Sequence, residues 1–133
     1  MEIKEIKQLF FSFRNGIVAE AFRNVPNNPY VTIFGLQVPQ LAEIARKVGK
    51  DHQLAVLLWA DSGCRESRLL ACWLFDPENV SQEDALRLCR EALTREETDI
   101  LAFRLLRFLP FARDLEENLT GYSREALLRN LSR

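Results

Sequence analysis

From Leu69 to Phe75 the chain reads Leu-Leu-Ala-Cys-Trp-Leu-Phe, apolar on every side of a helix. Such a helix has no face to give to water and is stable only between neighbouring elements. The rest of the sequence supplies those neighbours, because apolar residues recur there at intervals of three and four. Ile3, Ile6, Phe10, Phe13 and Ile17 form one face, which Gly16 interrupts, with a short helix continuing to about Phe22. Leu41, Ile44, Ala45 and Val48 form a second, with Pro39 in the first turn, where a missing N–H costs nothing. Leu54, Leu57 and Leu58 follow Asp51, a residue suited to capping. Ser81-Gln-Glu-Asp84 has the form of a capping box and precedes Ala85, Leu88, Cys89, Ala92 and Leu93. Thr94-Arg-Glu-Glu97 is a second box, opening a helix to about Leu109 that Pro110 closes. A short helix is predicted around Leu115, and Ser123 is predicted to cap a last one bearing Leu127, Leu128 and Leu131.

Residues 24–35, rich in Pro and Asn and ending in Gly35, read as a loop, and no segment reads convincingly as a strand. Helices of ten to fifteen residues with short connections suggest antiparallel pairs. Arg68-Leu-Leu70 and Arg104-Leu-Leu106 stand 36 residues apart, near the length of a two-helix HEAT-like repeat. The expected fold is all-α: an α-α superhelix, a HEAT-like or ARM-like solenoid of antiparallel helix pairs, in a single domain over residues 1–133.

Composition narrows the function. The hydrophobic fraction of 47% is that of a globular protein, and the formal charge of −1 gives the whole molecule no basic field for nucleic acid. Any DNA contact must rest on a local patch. Every Lys precedes Arg65 and all later basic residues are Arg, but carboxylates after Arg65 are just as plentiful. Three cysteines, Cys64, Cys72 and Cys89, lack metal-site spacing, and Cys72 and Cys89 fall on apolar faces. They suggest a reducing compartment. The opening segment alternates charged and apolar residues, so it reads as neither a signal peptide nor a membrane span. A cytoplasmic protein without membrane contact is expected.

Two stretches carry a family resemblance. Ile33-Phe-Gly-Leu-Gln-Val-Pro-Gln-Leu41 resembles the "Y-G-V-R-V-P-x-L" segment of the AlkD-type DNA alkylation-repair glycosylases. Leu57-Leu-Trp59 followed by Arg65-Glu-Ser-Arg68-Leu-Leu-Ala71 resembles their "L-W … H-E-x-R-x-L-A" segment. Order and spacing agree from about residue 30 to about residue 109. The resemblance implies a stack of HEAT-like helix pairs with a concave, DNA-holding face, and excision of alkylated purines without metal or other cofactor. It also implies a catalytic Asp and a Trp from a "W-D-L-x-D" motif. Here that motif reads Thr98-Asp99-Ile100-Leu101-Ala102, so Thr98 replaces the Trp and Ala102 the closing Asp. An alanine offers no charge to an oxocarbenium ion, and that electrostatic contribution is usually the largest in such sites.

Asp99 is then the only candidate for a catalytic acid. A helical wheel puts it beside Phe103 and Leu106, where partial burial would raise its pKa; the other reading is a carboxylate favoured near a helix N-terminus. Arg65, Arg68, Arg104 and Arg107 are the candidate nucleic-acid contacts. Arg68 matches the Arg of the family motif, and an Arg at that place also serves to bridge adjacent helices. Arg104 and Arg107 share a stripe with Glu96 and Glu97, which reads equally as a solvated face. Trp59 and Trp73 read as core residues, and the single histidine, His52, has no partner at metal-ligand spacing. The expectation is a non-catalytic HEAT-like binding or adaptor module with a DNA or protein partner. A divergent DNA glycosylase and a protein-interaction module without nucleic-acid binding are the alternatives. A homodimer through Ile3, Ile6, Phe10 and Phe13 or the last helix would cover an exposed end of the solenoid.

Overall fold

Short polar side chains set where the helices begin. The computed structural model describes residues 1–131, and among them Asn15 accepts from the Ile17 and Val18 N–H groups, Asp51 from Leu54, Ser81 from Asp84 and Thr94 from Glu97. Each satisfies a donor that the first helical turn leaves without a partner. The helices are α1 Ile3–Ser12, α2 Gly16–Arg23, α3 Val38–Val48, α4 His52–Ala60, α5 Arg65–Leu74, α6 Gln82–Glu91, α7 Arg95–Arg104, α8 Ala112–Glu117 and α9 Gly121–Leu131. Single 3-10 turns lie at Pro77–Asn79 and Leu106–Phe108. No strand occurs among the described residues, only an isolated parallel bridge between Thr32 and Cys64. The chain divides into two compact units, Met1–Leu74 and Phe75–Arg133.

In the first unit α5 packs along α4 and α3, and α1 packs on α4. All ten residues of α5 are buried. Leu69, Leu70 and Leu74 are among them, and each fully buried leucine contributes roughly 1.5–3 kcal/mol. The all-round apolar reading is therefore correct for 69–75, and burial extends into the charged first turn, which the sequence did not suggest. Ile6 and Phe10 are the inward side of α1, completely buried within the chain, so two of the four side chains expected at a dimer face are not available to one. Ile17 departs from the expected stripe: the break before Gly16 starts a new helix, and Ile17 is 86% exposed. Leu57 and Leu93 are likewise exposed.

In the second unit α7 packs on α9, and α8 contacts α6 and α9. Two boundaries differ from expectation. α7 ends at Arg104 rather than near Leu109, because Leu105 leaves the helical region (φ −128°, ψ −61°) and the chain tightens into the Leu106–Phe108 turn. Arg68 consequently lies inside α5 while Arg104 is the last residue of α7, so the two Arg-Leu-Leu triplets are not in equivalent places. Finally, α9 begins at Gly121, where φ is +62°, which leaves Ser123 inside the first turn instead of capping it.

Candidate nucleic-acid interface

The loop before α3 brings three consecutive backbone N–H groups, those of Phe34, Gly35 and Leu36, into the interior. Buried donors need acceptors. Glu66, in the first turn of α5, supplies them: its carboxylate accepts from Phe34 at 2.9 Å, Gly35 at 3.1 Å and Leu36 at 3.3 Å. A buried carboxylate in turn needs a counter-charge. Arg65 donates to Glu66 at 2.7 Å and to the Leu36 carbonyl at 2.8 Å, with its guanidinium 3.9 Å over the Phe22 ring. The loop is tied again where Val31 and Thr32 donate to the Gly63 carbonyl and Asn15 donates to that of Phe34. Gly35 has φ +87°, and a Cβ there would meet the Asn15 carbonyl oxygen at 2.2 Å, so the close approach excludes any side chain.

Arg68, one turn on, donates to the Trp59 carbonyl at 2.6 Å and stacks 3.8 Å over the Trp59 ring. With Arg65 only 2% and Arg68 only 4% exposed, the expectation that these two touch phosphate is replaced by internal bracing. The residues that carried the resemblance, Arg65-Glu-Ser-Arg68 and the segment around Gly35, are joined in space and hold the first unit together. Trp59 and Trp73 are buried, as expected.

In the second unit Arg107 donates to the Phe103 carbonyl at 2.7 Å and lies 4.3 Å over the Phe103 ring and 4.5 Å over that of Phe108. The Arg104 guanidinium is 5.8 Å from the Phe103 ring. Partial burial, and after it the charge of Arg107, hold the Arg104 pKa below its ordinary value. Two cations on one aromatic side chain thus repel each other, and an anion between them relieves that repulsion. The expected carboxylate partners do not both share the stripe: Glu97 is buried, accepting from the Leu93 N–H at 3.0 Å.

Asp99 neither enters the core nor caps its helix. Its side chain is 47% exposed, accepts from the Tyr122 hydroxyl at 2.8 Å, and sits 3.2 Å from Arg129, which also donates to the Tyr122 oxygen at 3.0 Å. The guanidinium of Arg95 stacks 4.5 Å over the same tyrosine. Tyr122 is the main cause of a raised Arg129 pKa, with the charge of Asp99 adding less. Asp99, Ile100, Phe103, Arg129 and Asn130 line a cleft of about 370 Å³. The Tyr122 and Arg129 partners lie 23 and 30 residues away, so no local pattern in the sequence marks them. Ala102, which the sequence resemblance sets against a catalytic Asp, is completely buried, and Thr98 returns its hydroxyl to the Thr94 carbonyl.

The three cysteines form no disulfide and are buried. Burial pushes the Cys89 pKa up to about 11 and that of Cys64 above its ordinary value, against the opposing hydrogen bond of Ser67. At pH 8 roughly one Cys89 in a thousand is thiolate, the reactive form. A thiol-specific chromogenic reagent will therefore label the folded protein slowly and the urea-unfolded protein at all three positions at once; equal rates in both states contradict the burial. No group of three or more His, Cys, Asp or Glu among the described residues is placed to hold a metal ion. No helix among them is long and apolar enough to cross a membrane.

No family model matches this chain, and no curated protein does either. A solved structure does, with a TM-score of 0.83 and 20% sequence identity over 98% of this chain. It is described as belonging to "a new family of proteins related to the HEAT-like repeat DNA glycosylases with affinity for branched DNA structures". The match covers 56% of that protein, so this chain spans little more than half its length. What the match establishes is the architecture: the chain has the HEAT-like repeat fold of these glycosylase relatives.

Proposed function

We propose that this chain is a DNA-binding HEAT-like module without base-excision chemistry of its own. The observation that carries the reading is Ala102. The residue at the place of the catalytic carboxylate is uncharged and has no surface from which to reach a sugar. Asp99, the remaining acid, is already engaged by Tyr122 and Arg129. The solved neighbour's family is described as having affinity for branched DNA, and the reading carries that ligand class to this chain. Arg104 and Arg107 are the phosphate contacts it assigns. Three buried thiols fit a reducing, cytoplasmic setting.

Fluorescence anisotropy with a four-way junction and a plain duplex, across a salt series, tests the binding. The junction is expected to bind more tightly than the duplex, with affinity falling steeply as salt rises. Replacing both Arg104 and Arg107 by alanine is expected to weaken binding and to shallow the log–log salt slope by about two. No binding at low salt would overturn the reading in favour of a protein-interaction module. The divergent-glycosylase alternative has one observation in its favour, the cleft that Asp99 lines. Release of alkylated bases by the wild type, abolished in Asp99→Asn, would establish it.

A further inference from the structure

The overall charge of −1 conceals an uneven distribution. Residues Met1–Leu74 carry nine Lys and Arg against seven Asp and Glu, net +2, whereas Phe75–Arg133 carries nine against twelve, net −3. In the basic unit two depressions adjoin along α1. One, of about 570 Å³, has Lys4 and Lys7 in its lining; the other, of about 350 Å³, has Arg14 and Arg23. Phe11 and Phe34 line both, so two aromatic rings form a shared wall with a pair of cations on either side.

This wall is rigid and partly bare. Phe11 is 56% exposed, and the Arg14 guanidinium lies 3.9 Å over its ring while donating to its carbonyl at 2.9 Å. Phe34 is fixed at both backbone groups, its N–H by Glu66 and its carbonyl by the Asn15 N–H, and its ring rests 5.7 Å from that of buried Phe10. Lys7 is paired with Asp61 at 2.9 Å and Arg23 with Glu20 at 3.0 Å. Lys4 and Arg14 have no carboxylate partner among the described residues, so each depression keeps one uncompensated cation.

We infer that this shelf binds single-stranded nucleic acid, an unpaired base stacking on Phe11 with flanking phosphates at Lys4 and Arg14. A preorganised ring between cations is what sequence-tolerant single-strand binding uses. An acidic peptide would use the cations and leave the exposed ring without a role. The site is separate from Arg104 and Arg107 and shares with the function proposed above only the class of ligand. A junction with unpaired nucleotides at its branch point would engage it.

Anisotropy with a short labelled oligothymidylate tests it. The oligomer is expected to bind in a salt-dependent manner. Phe11→Ala is expected to weaken binding about tenfold and Phe11→Tyr to preserve it. Lys4→Glu combined with Arg14→Glu is expected to abolish binding at moderate salt, while Arg46→Ala, at an exposed position outside both linings, leaves it unchanged. Phe11 is exposed, so unaltered circular dichroism is expected to accompany the loss. Equal binding by wild type and Phe11→Ala, or no binding at low salt, would overturn the proposal. A concentration-dependent dimer in sedimentation that Phe11→Ala dissociates, with oligothymidylate affinity unmoved, would do the same by giving the face to a second copy. Junction affinity in a protein that does not bind oligothymidylate defeats this proposal alone, and oligothymidylate affinity in a protein that ignores junctions defeats only the earlier one.

Discussion

Glu66→Ala is expected to destabilise the protein by about 3–5 kcal/mol, the usual consequence of removing one partner of a buried ion pair. Arg65 would be left charged in a site where it is 2% exposed, and the N–H groups of Phe34, Gly35 and Leu36 would lose their acceptor together. Natural domains are stable by only about 5–15 kcal/mol, so the variant is expected to populate unfolded molecules at modest urea concentration. Equilibrium urea denaturation followed by far-ultraviolet circular dichroism measures the shift. A partner variant separates charge from packing. Arg65→Met together with Glu66→Ala removes the uncompensated cation and is expected to recover part of the loss, although the three amides stay unsatisfied. A midpoint for Glu66→Ala within error of the wild type would show that the carboxylate does not hold the loop.

The second large effect is expected at Gly35. Gly35 and Gly49 both have positive φ, at +87° and +77°. A side chain at either costs roughly 1–3 kcal/mol in backbone strain. Nothing lies within 4 Å of a Cβ at Gly49, so Gly49→Ala isolates that cost. At Gly35 the added atom would sit 2.2 Å from the Asn15 oxygen and 2.8 Å from the Ala19 nitrogen, both backbone atoms at the start of α2. Neither moves without displacing the helix. Gly35→Ala is therefore expected to lose several kcal/mol more than Gly49→Ala, and the difference in denaturation midpoints between the two variants reads the clash directly. Matching midpoints would mean that α2 is free to shift.

These two positions also mark where the sequence could and could not be read. Helix starts were legible where a cap acts within its own turn, as at Asp51, Ser81 and Thr94. The buried helix at 69–75 was legible because its apolar residues leave no face for water. Its charged first turn was not. Arg68 read both as a phosphate contact and as a bridge between helices, and it does brace the Trp59 carbonyl; Arg65 read as a nucleic-acid contact, and what engages it is a loop some thirty residues earlier presenting backbone groups that need partners. That requirement is invisible to periodicity. Helix ends were misplaced for a related reason: the apolar pattern of α7 continues past Arg104, but Leu105 and Leu106 reach the core from a non-helical turn. For the candidate site, Arg104 and Arg107 were named from the sequence as a stripe shared with Glu96 and Glu97, and the Phe103 ring they lie against had no mark there. The tie of Asp99 to α9 depends on tertiary packing and had no local mark.

The clamp on residues 34–36 has a consequence for how this chain can change length. Surface loops ordinarily accept insertions with little cost, since each doubling of length adds only about 0.6 kcal/mol. Here Val31, Thr32, Phe34, Gly35 and Leu36 are each pinned by a backbone hydrogen bond, so one added residue among them would shift every donor off its acceptor. The preceding stretch, from Asn24 to Asn28, makes short local turns, with Asn27 at φ +61°. A loop that looks uniform in sequence is thus half strap and half slack, and an affinity tag or fluorophore-bearing insert belongs in the slack.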